Sequence, residues 1–322
     1  MAFEIRDNPD FSWSSSRARM FEECNLCYGL HYYGAHNGWL RQATPLAAAA
    51  YRYKVTRSTE GMLMDSVITN IYNHHYKDEI GADEFKQLVR HDLNTAFSAS
   101  KNHKDDWYKK PKKFPVLTEM IRTDKLDPDL VQEVLGKMES IVENFYLTKT
   151  SEELKSTHKL VHLSRFNKFI AKRLDNLTIF VGIHLLYQRD DGKMVAVNYK
   201  TSNQQSHIDQ LGSIALYLMH EYGFELDEIV LRDEFLLTGE HKEYYLDEMD
   251  IEEMYDVIED SVSMMAEHVV DGDLVRNKSV PLEKYLRNPY HSDHSENNNC
   301  PYCQLVKLDL EEQPNGVKSY VV

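Results

Sequence analysis

The stretch Thr178–Ser202, TIFVGIHLLYQRDDGKMVAVNYKTS, constrains the fold more than any other part of the chain. Two apolar runs, Ile179–Tyr187 and Met194–Tyr199, flank the polar segment Gln188–Lys193. Asp190-Asp191-Gly192 between them is a hairpin signal, because glycine supplies the positive φ that such a turn needs. With those three residues as the loop, Arg189 pairs with Lys193, and counting back sets His184 opposite Asn198. Alternation along a strand then puts Asn198 and Lys200 on one face. Three polar side chains, His184, Asn198 and Lys200, converge on an otherwise apolar ribbon. Buried polar groups are costly without partners, so the three mark a candidate site.

The 322 residues suffice for one large domain or two small ones. No run of about eighteen apolar residues exists, so no membrane span is expected. The N-terminus, MAFEIRDNPD, lacks a signal-peptide core, and a cytoplasmic location is expected. The formal net charge of -15 repels nucleic acid unless cations are gathered locally. One gathering is visible: Lys101–Phe114 carries six lysines interleaved with Trp107, Tyr108 and Phe114. It reads as a solvated loop or as a nucleic-acid contact.

The four cysteines form two pairs, Cys24-x-x-Cys27 and Cys300-x-x-Cys303. In an intracellular chain such pairs point to metal or cluster binding more than to disulfides. His291 and His294 near the second pair read as solvated loop histidines.

Along the chain, Phe11–Ala35 reads as helical, with Ser14, Ser15 or Ser16 as N-cap. A helix opens at Thr59 and includes Asp65. Residues 83–154 read as mostly helical, with an apolar stripe from Val131 to Phe145 after Asp127-Pro128. Lys159–Phe169 and Ile170–Leu174 look like strands leading into the hairpin. Ser206–Tyr222 reads as a helix closed by Gly223, with His207, Gln210, Ile214 and Tyr217 on one face. Ile229–Thr238 and Tyr244–Leu246 suggest further strands, Ile251–Val270 a last helix, and the remainder loop. These readings divide the chain into a mostly helical region 1–155, an α/β core 156–248 and a C-terminal helix and tail 249–322, all within one compact domain.

Gly182, Lys200 and Thr201 in these positions resemble the PD-(D/E)XK nuclease superfamily, in particular its RecB-like exonuclease branch. That family reads Gly-x-x-Asp on one strand and Asp/Glu-x-Lys-Thr on the next. Here the strands read Gly182-Ile183-His184 and Asn198-Tyr199-Lys200-Thr201. Ser14-x-Ser16, the cysteine and aromatics that follow, Gly38-Trp39-Leu40 and Ala50-Tyr51-Arg52-Tyr53-Lys54 continue the resemblance, and Gln210 matches a family glutamine. The resemblance implies a mixed central sheet of the restriction-endonuclease type with flanking helices, and DNA as the substrate. It also implies two carboxylates that hold Mg²⁺ or Mn²⁺, and a lysine that positions water or stabilises the transition state. The family's helix histidine corresponds to Asp65 here.

His184 and Asn198 stand where the family has carboxylates, so a hard cation should bind weakly. Asp65 and His184 look exchanged relative to the family, and an Asp65–His184–Asn198 set is suited to a softer ion such as Mn²⁺ or Zn²⁺. Drift after loss of activity, and an Asp→Asn trapping change at Asn198, are the competing accounts. The AddB-type and CRISPR-associated relatives hold a [4Fe–4S] cluster with one N-terminal and three C-terminal cysteines. Here the split is two and two, which suits Zn²⁺ or an Fe–S cluster held by Cys24, Cys27, Cys300 and Cys303. The function expected is a RecB-like nuclease-fold protein acting on DNA with an impaired metal site. The alternatives are a pseudonuclease that serves as a protein-interaction subunit, and an active Mn²⁺-dependent exonuclease.

Overall fold

The computed structural model describes residues 5–121, 123–156, 159–161, 167–202 and 205–285. The helices are α1 (Ser15–Glu23), α2 (Asn25–Gly29), α3 (Pro45–Val55), α4 (Thr59–Tyr76), α5 (Ala82–Asn102), α6 (Lys104–Lys109), α7 (Pro128–Phe145), α8 (Lys149–Glu153), α9 (Ile208–Tyr222) and α10 (Glu248–Ala266). The strands are β1 (Lys159–Val161), β2 (Asn167–Ala171), β3 (Leu177–Val181), β4 (Leu185–Gln188), β5 (Met194–Lys200), β6 (Ile229–Phe235) and β7 (Glu240–Tyr244).

The result is a mixed α/β fold around a five-stranded sheet of order β1-β4-β5-β6-β7. Only β5 and β6 are parallel, and α9 makes the crossover between them. β2 and β3 form a separate two-stranded sheet. Nearly every residue of β5 and all of β6 are buried, as expected of central strands covered on both faces.

The hairpin forms through the three-residue turn. Arg189 N–H donates to Lys193 O (2.9 Å), Gln188 pairs with Met194, and Gly192 takes φ 87°, a region that disfavours other side chains. The first apolar run is not one strand, however. It breaks at 182–184, and its halves join different sheets: β3 pairs with β2, and β4 pairs with β5 and β1. Gly182 is the weak point, since glycine has no side chain to hold a strand by packing.

Alternation sorts the core into two layers. Leu185, Tyr187, Val195, Val197, Tyr199 and Val230 face α4, α5 and α7 through Val67, Ile71, Phe85, Met138 and Phe145. The opposite face, Leu186, Met194, Ala196, Ile229 and Leu231, packs against Leu211, Ile214, Ala215 and Leu218 of α9. Burying each of the larger aliphatic side chains among these stabilises the fold by roughly 1.5–3 kcal/mol. The helix ends follow the chemistry of the sequence. Ser14 caps α1, Ser58 caps α4 and Asp127 caps α7 through side-chain oxygens that accept from the first-turn N–H groups. Gly223 closes α9 at φ 74°.

Trp13 ties the N-terminus to this frame. Its backbone bridges Thr178 and Phe180 of β3 (both 2.9 Å), and its indole donates to Ser261 Oγ of α10 at 2.7 Å. The lysine-rich stretch is partly helical as α6. Its Trp107 is buried in a small core with Leu30, Ala50, Tyr53 and Val116. That ring fills space between helices and is closed to a base, while Tyr108 remains exposed. Among the described residues no helix is long and apolar enough to cross a membrane.

Candidate functional site

The polar residues gather at the carboxyl ends of the parallel strands, where crossover sheets leave room for ligands. Asn198 and Lys200 lie two apart on β5, on the face that carries α9. Parallel register sets Asp233 of β6 beside Asn198. Lys200 Nζ donates to Gln210 Oε1 of α9 (3.2 Å) and stands 3.9 Å from Asp233 Oδ1. Burial lowers the Lys200 ammonium from its usual range, with the charge of Arg19 acting in the same sense, while Asp233 and Asp209 oppose the shift.

Asp233 is fully buried and well supplied with donors. Its Oδ1 accepts from Ser206 Oγ at 2.6 Å, and its Oδ2 accepts from Ser206 N–H at 2.7 Å and Tyr244 O–H at 3.0 Å. Asn198, 2% exposed, points a buried Oδ1 that accepts no hydrogen bond among the described residues. Asp209 likewise holds a buried, unbonded Oδ1, with its other oxygen 3.9 Å from Arg19 Nε.

His184 sits in the bend before β4, one step beyond the Leu185–Val197 pair. Its N–H donates to Val197 O (3.1 Å), and its Nδ1 accepts from Tyr199 N–H at 2.9 Å. The imidazole therefore continues the ladder where the backbone turns away. It lies nearly parallel to the Tyr199 ring, centroids 6.4 Å apart. A protonated Nδ1 could not accept that bond, so the contact holds the ring in the Nε2–H form.

Asp65 is half-exposed on α4 and accepts from Arg57 Nε at 2.8 Å. Ile214 and Tyr217 belong to the core beneath α9, Tyr217 packing against Phe169 and Tyr222, and His207 is the N-cap residue of that helix. The structure thus brings Asn198, Lys200 and Gln210 together and adds Asp233, Ser206, Asp209 and Tyr244. The charged triplet Arg232-Asp233-Glu234 inside an apolar strand is the sequence signal that points to Asp233.

These residues do not fit a Mg²⁺ centre. Such an ion needs several oxygen ligands, mainly carboxylates. Here Asn198 is neutral, three hydrogen bonds occupy Asp233, and the Lys200 ammonium repels a cation. No group of three or more His, Cys, Asp or Glu side chains is placed to share a metal among the described residues.

Cys24 and Cys27 are both buried. Cys24 is the N-cap of α2, and its Sγ accepts from Cys27 N–H at 3.4 Å. The CxxC pair is thereby set on one helix start. Cys300, Cys303, His291 and His294 lie outside the described residues. No family model matches the chain, and no curated protein is detectably similar to it.

Proposed function

We propose that this is a nuclease-fold protein of the PD-(D/E)XK, RecB-like type that binds DNA and has lost Mg²⁺-dependent cleavage. The Lys200–Gln210 contact beside Asn198 carries the reading, because it pairs the family's lysine and glutamine at the end of β5 where the acid is missing. The mixed sheet order, and a hairpin followed by a crossover helix and a parallel strand, support a restriction-endonuclease-type core. With Asn198 neutral and Asp233 taken up by three hydrogen bonds, the site is poorly suited to hold the ion that would form hydroxide and neutralise the scissile phosphate. Lys200 still offers a cation to a phosphate oxygen.

The test is cleavage of labelled single- and double-stranded DNA with Mg²⁺ and with Mn²⁺. The wild-type protein should leave DNA intact while retaining binding, and His184→Asp with Asn198→Asp should introduce cleavage. Mn²⁺-dependent degradation by the unmodified protein, abolished by Asp65→Ala, would instead establish the exchanged-ligand enzyme. Robust Mg²⁺ cleavage from Asn198→Asp alone would make Asn198 a single lesion in a working site. The net charge of -15 favours a second reading, a subunit that binds a protein partner. Absence of DNA binding at low salt would select it.

Cys24 and Cys27, both buried, fit a Cys₄ centre as two of its four ligands. In this reading Cys300 and Cys303 complete it, with Zn²⁺ or [4Fe–4S] as the occupant. Mass-spectrometric metal analysis of anaerobically purified protein should give one zinc or four irons per chain. A Cys24→Ser, Cys27→Ser protein should give neither, and a metal-free wild type would rule the centre out.

A further inference from the structure

Arg17 is a buried cation with no ion pair among the described residues. The side chain is 3% exposed. Nη1 donates to Ser12 Oγ at 3.1 Å and Nη2 to Tyr28 Oη at 3.0 Å, while Nε is buried and makes no hydrogen bond. Its guanidinium carbon lies 4.3 Å from the centroid of the Tyr32 ring and 4.9 Å from that of Phe11. A second cation shares that ring: Lys54 Nζ is 5.4 Å from the Tyr32 centroid and donates to His31 O at 3.0 Å. No carboxylate among the described residues forms an ion pair with Arg17 or Lys54.

Further positive charge stands around the pair. Burial first, then Arg17 and Lys112, push the Lys54 ammonium down to about 8. Burial first, then Lys54, Arg57 and Arg17, push His31 down to about 3. In a chain of net charge -15, this gathers cations where they repel one another. Aromatic faces offset part of that repulsion, but an uncompensated buried charge is costly and ordinarily has an ionic partner. The guanidinium fork matches the oxygens of a phosphate. Arg17 is the buried member of this set, and Lys54, His31 and Tyr32 around it are half-buried.

We propose that Arg17 and Lys54, set around Tyr32, form a binding site for a phosphate group. The same helix serves both sites, because α1 carries Arg17 and Arg19, packs on α9, and Arg19 bears on Lys200. A terminal phosphate of a nucleic-acid strand is the source proposed for the group held at Arg17. That assignment of the source rests on the DNA-binding reading, whereas the site itself does not.

Titration calorimetry with inorganic phosphate tests the site. Saturable binding is expected, weakened at least about tenfold in Lys54→Met and in Arg17→Lys, and unchanged in Lys77→Met, which removes an exposed lysine elsewhere. Thermal melts establish that each variant folds, and Lys54→Met decides the matter if Arg17→Lys does not. Fluorescence anisotropy with 5′-phosphorylated and 5′-hydroxyl oligonucleotides distinguishes the source. Preference for the phosphorylated end, competed by free phosphate, supports a nucleic-acid ligand. Phosphate binding lost in Lys54→Met with no oligonucleotide bound keeps the site and removes the DNA reading. Absence of phosphate binding, or phosphate binding indifferent to both substitutions, overturns the proposal.

Discussion

Asp233 shows how much one side chain can hold at a strand end. It receives two donors from Ser206 and one from Tyr244, with Lys200 alongside, so one carboxylate fixes the 205–207 loop, β7 and the end of β5. Asparagine has the same shape but one acceptor oxygen, and its amide would face a donor. Asp233→Asn should cost about 1.5–3 kcal/mol, the range for a lost hydrogen bond to a charged group in a buried place. Urea unfolding is the measurement, with the m-value unchanged. Asp65→Asn is the contrast: that carboxylate pairs with Arg57 at a half-exposed position, and its loss should cost under about 1 kcal/mol. Equal effects of the two substitutions would remove Asp233 from this role. Asn198 is the opposite kind of residue, a buried oxygen that stabilises nothing among its described neighbours. Its neutrality matters here because a carboxylate beside Asp233 would add a second buried negative charge at the same strand ends.

At the scale of elements, α4 meets the sheet through histidines as well as aliphatics. His75 lies against Phe145 and Tyr199, and its Nε2 is 3.2 Å from the Tyr199 hydroxyl. Burial, then His74, lowers His75 to about 3. The folded pKa is below the unfolded value near 6.5, so the unfolded chain binds the proton more readily at intermediate pH. The stabilising contribution of neutral His75 is therefore complete above about pH 6.5 and is lost as pH falls towards 3. The slope is on the order of 1 kcal/mol per pH unit for each such group, and His31 acts in the same direction. His75→Phe should flatten stability against pH between 6 and 4, read by chemical unfolding at each pH. A slope equal to that of wild type would show that His75 does not carry the effect. The hairpin of β4 and β5, α7 and α9 were legible because turn chemistry, capping and apolar spacing are local. The break at Gly182 was not, because it depends on β2 capturing β3, a contact between separate runs. Nor was Asp233, which becomes Asn198's neighbour only through a parallel pairing made by α9. His184 was legible as the residue opposite Asn198 by count but not in role, since it lies in a bend outside β4 and its ring completes a backbone ladder that exists only in three dimensions.

Across the whole molecule, charge sets the terms on which any polyanion can bind. The chain carries 52 acidic and 37 basic residues. A phosphate backbone is therefore repelled by most of the surface and attracted where cations are gathered together. Arg17, Lys54 and Lys200 belong to the two proposed sites, Lys112 bears on Lys54, and Lys200 keeps only a 3.9 Å contact with Asp233, whereas Lys86, Lys104 and Lys137 are held by carboxylates at 2.9 Å or less. Binding through so few contacts has a measurable signature. For a single strand, the logarithm of affinity falls with the logarithm of salt at about 0.7 per phosphate neutralised, so four contacts give a slope of about −3. Repulsion from the acidic remainder acts most at low ionic strength, since the screening length is about 10 Å at 0.1 M. The observed slope should therefore be no steeper than about −3 and should shallow further below 0.1 M salt. Lys54→Met should reduce it by about 0.7, one contact's worth, while Lys86→Met leaves it alone. Anisotropy titrations of a 5′-phosphorylated strand at several salt concentrations measure these quantities. A slope steeper than about −6 would mean that a broad basic face is in use, which the arrangement of paired lysines does not provide, and would move the nucleic-acid contact away from α1 and β5.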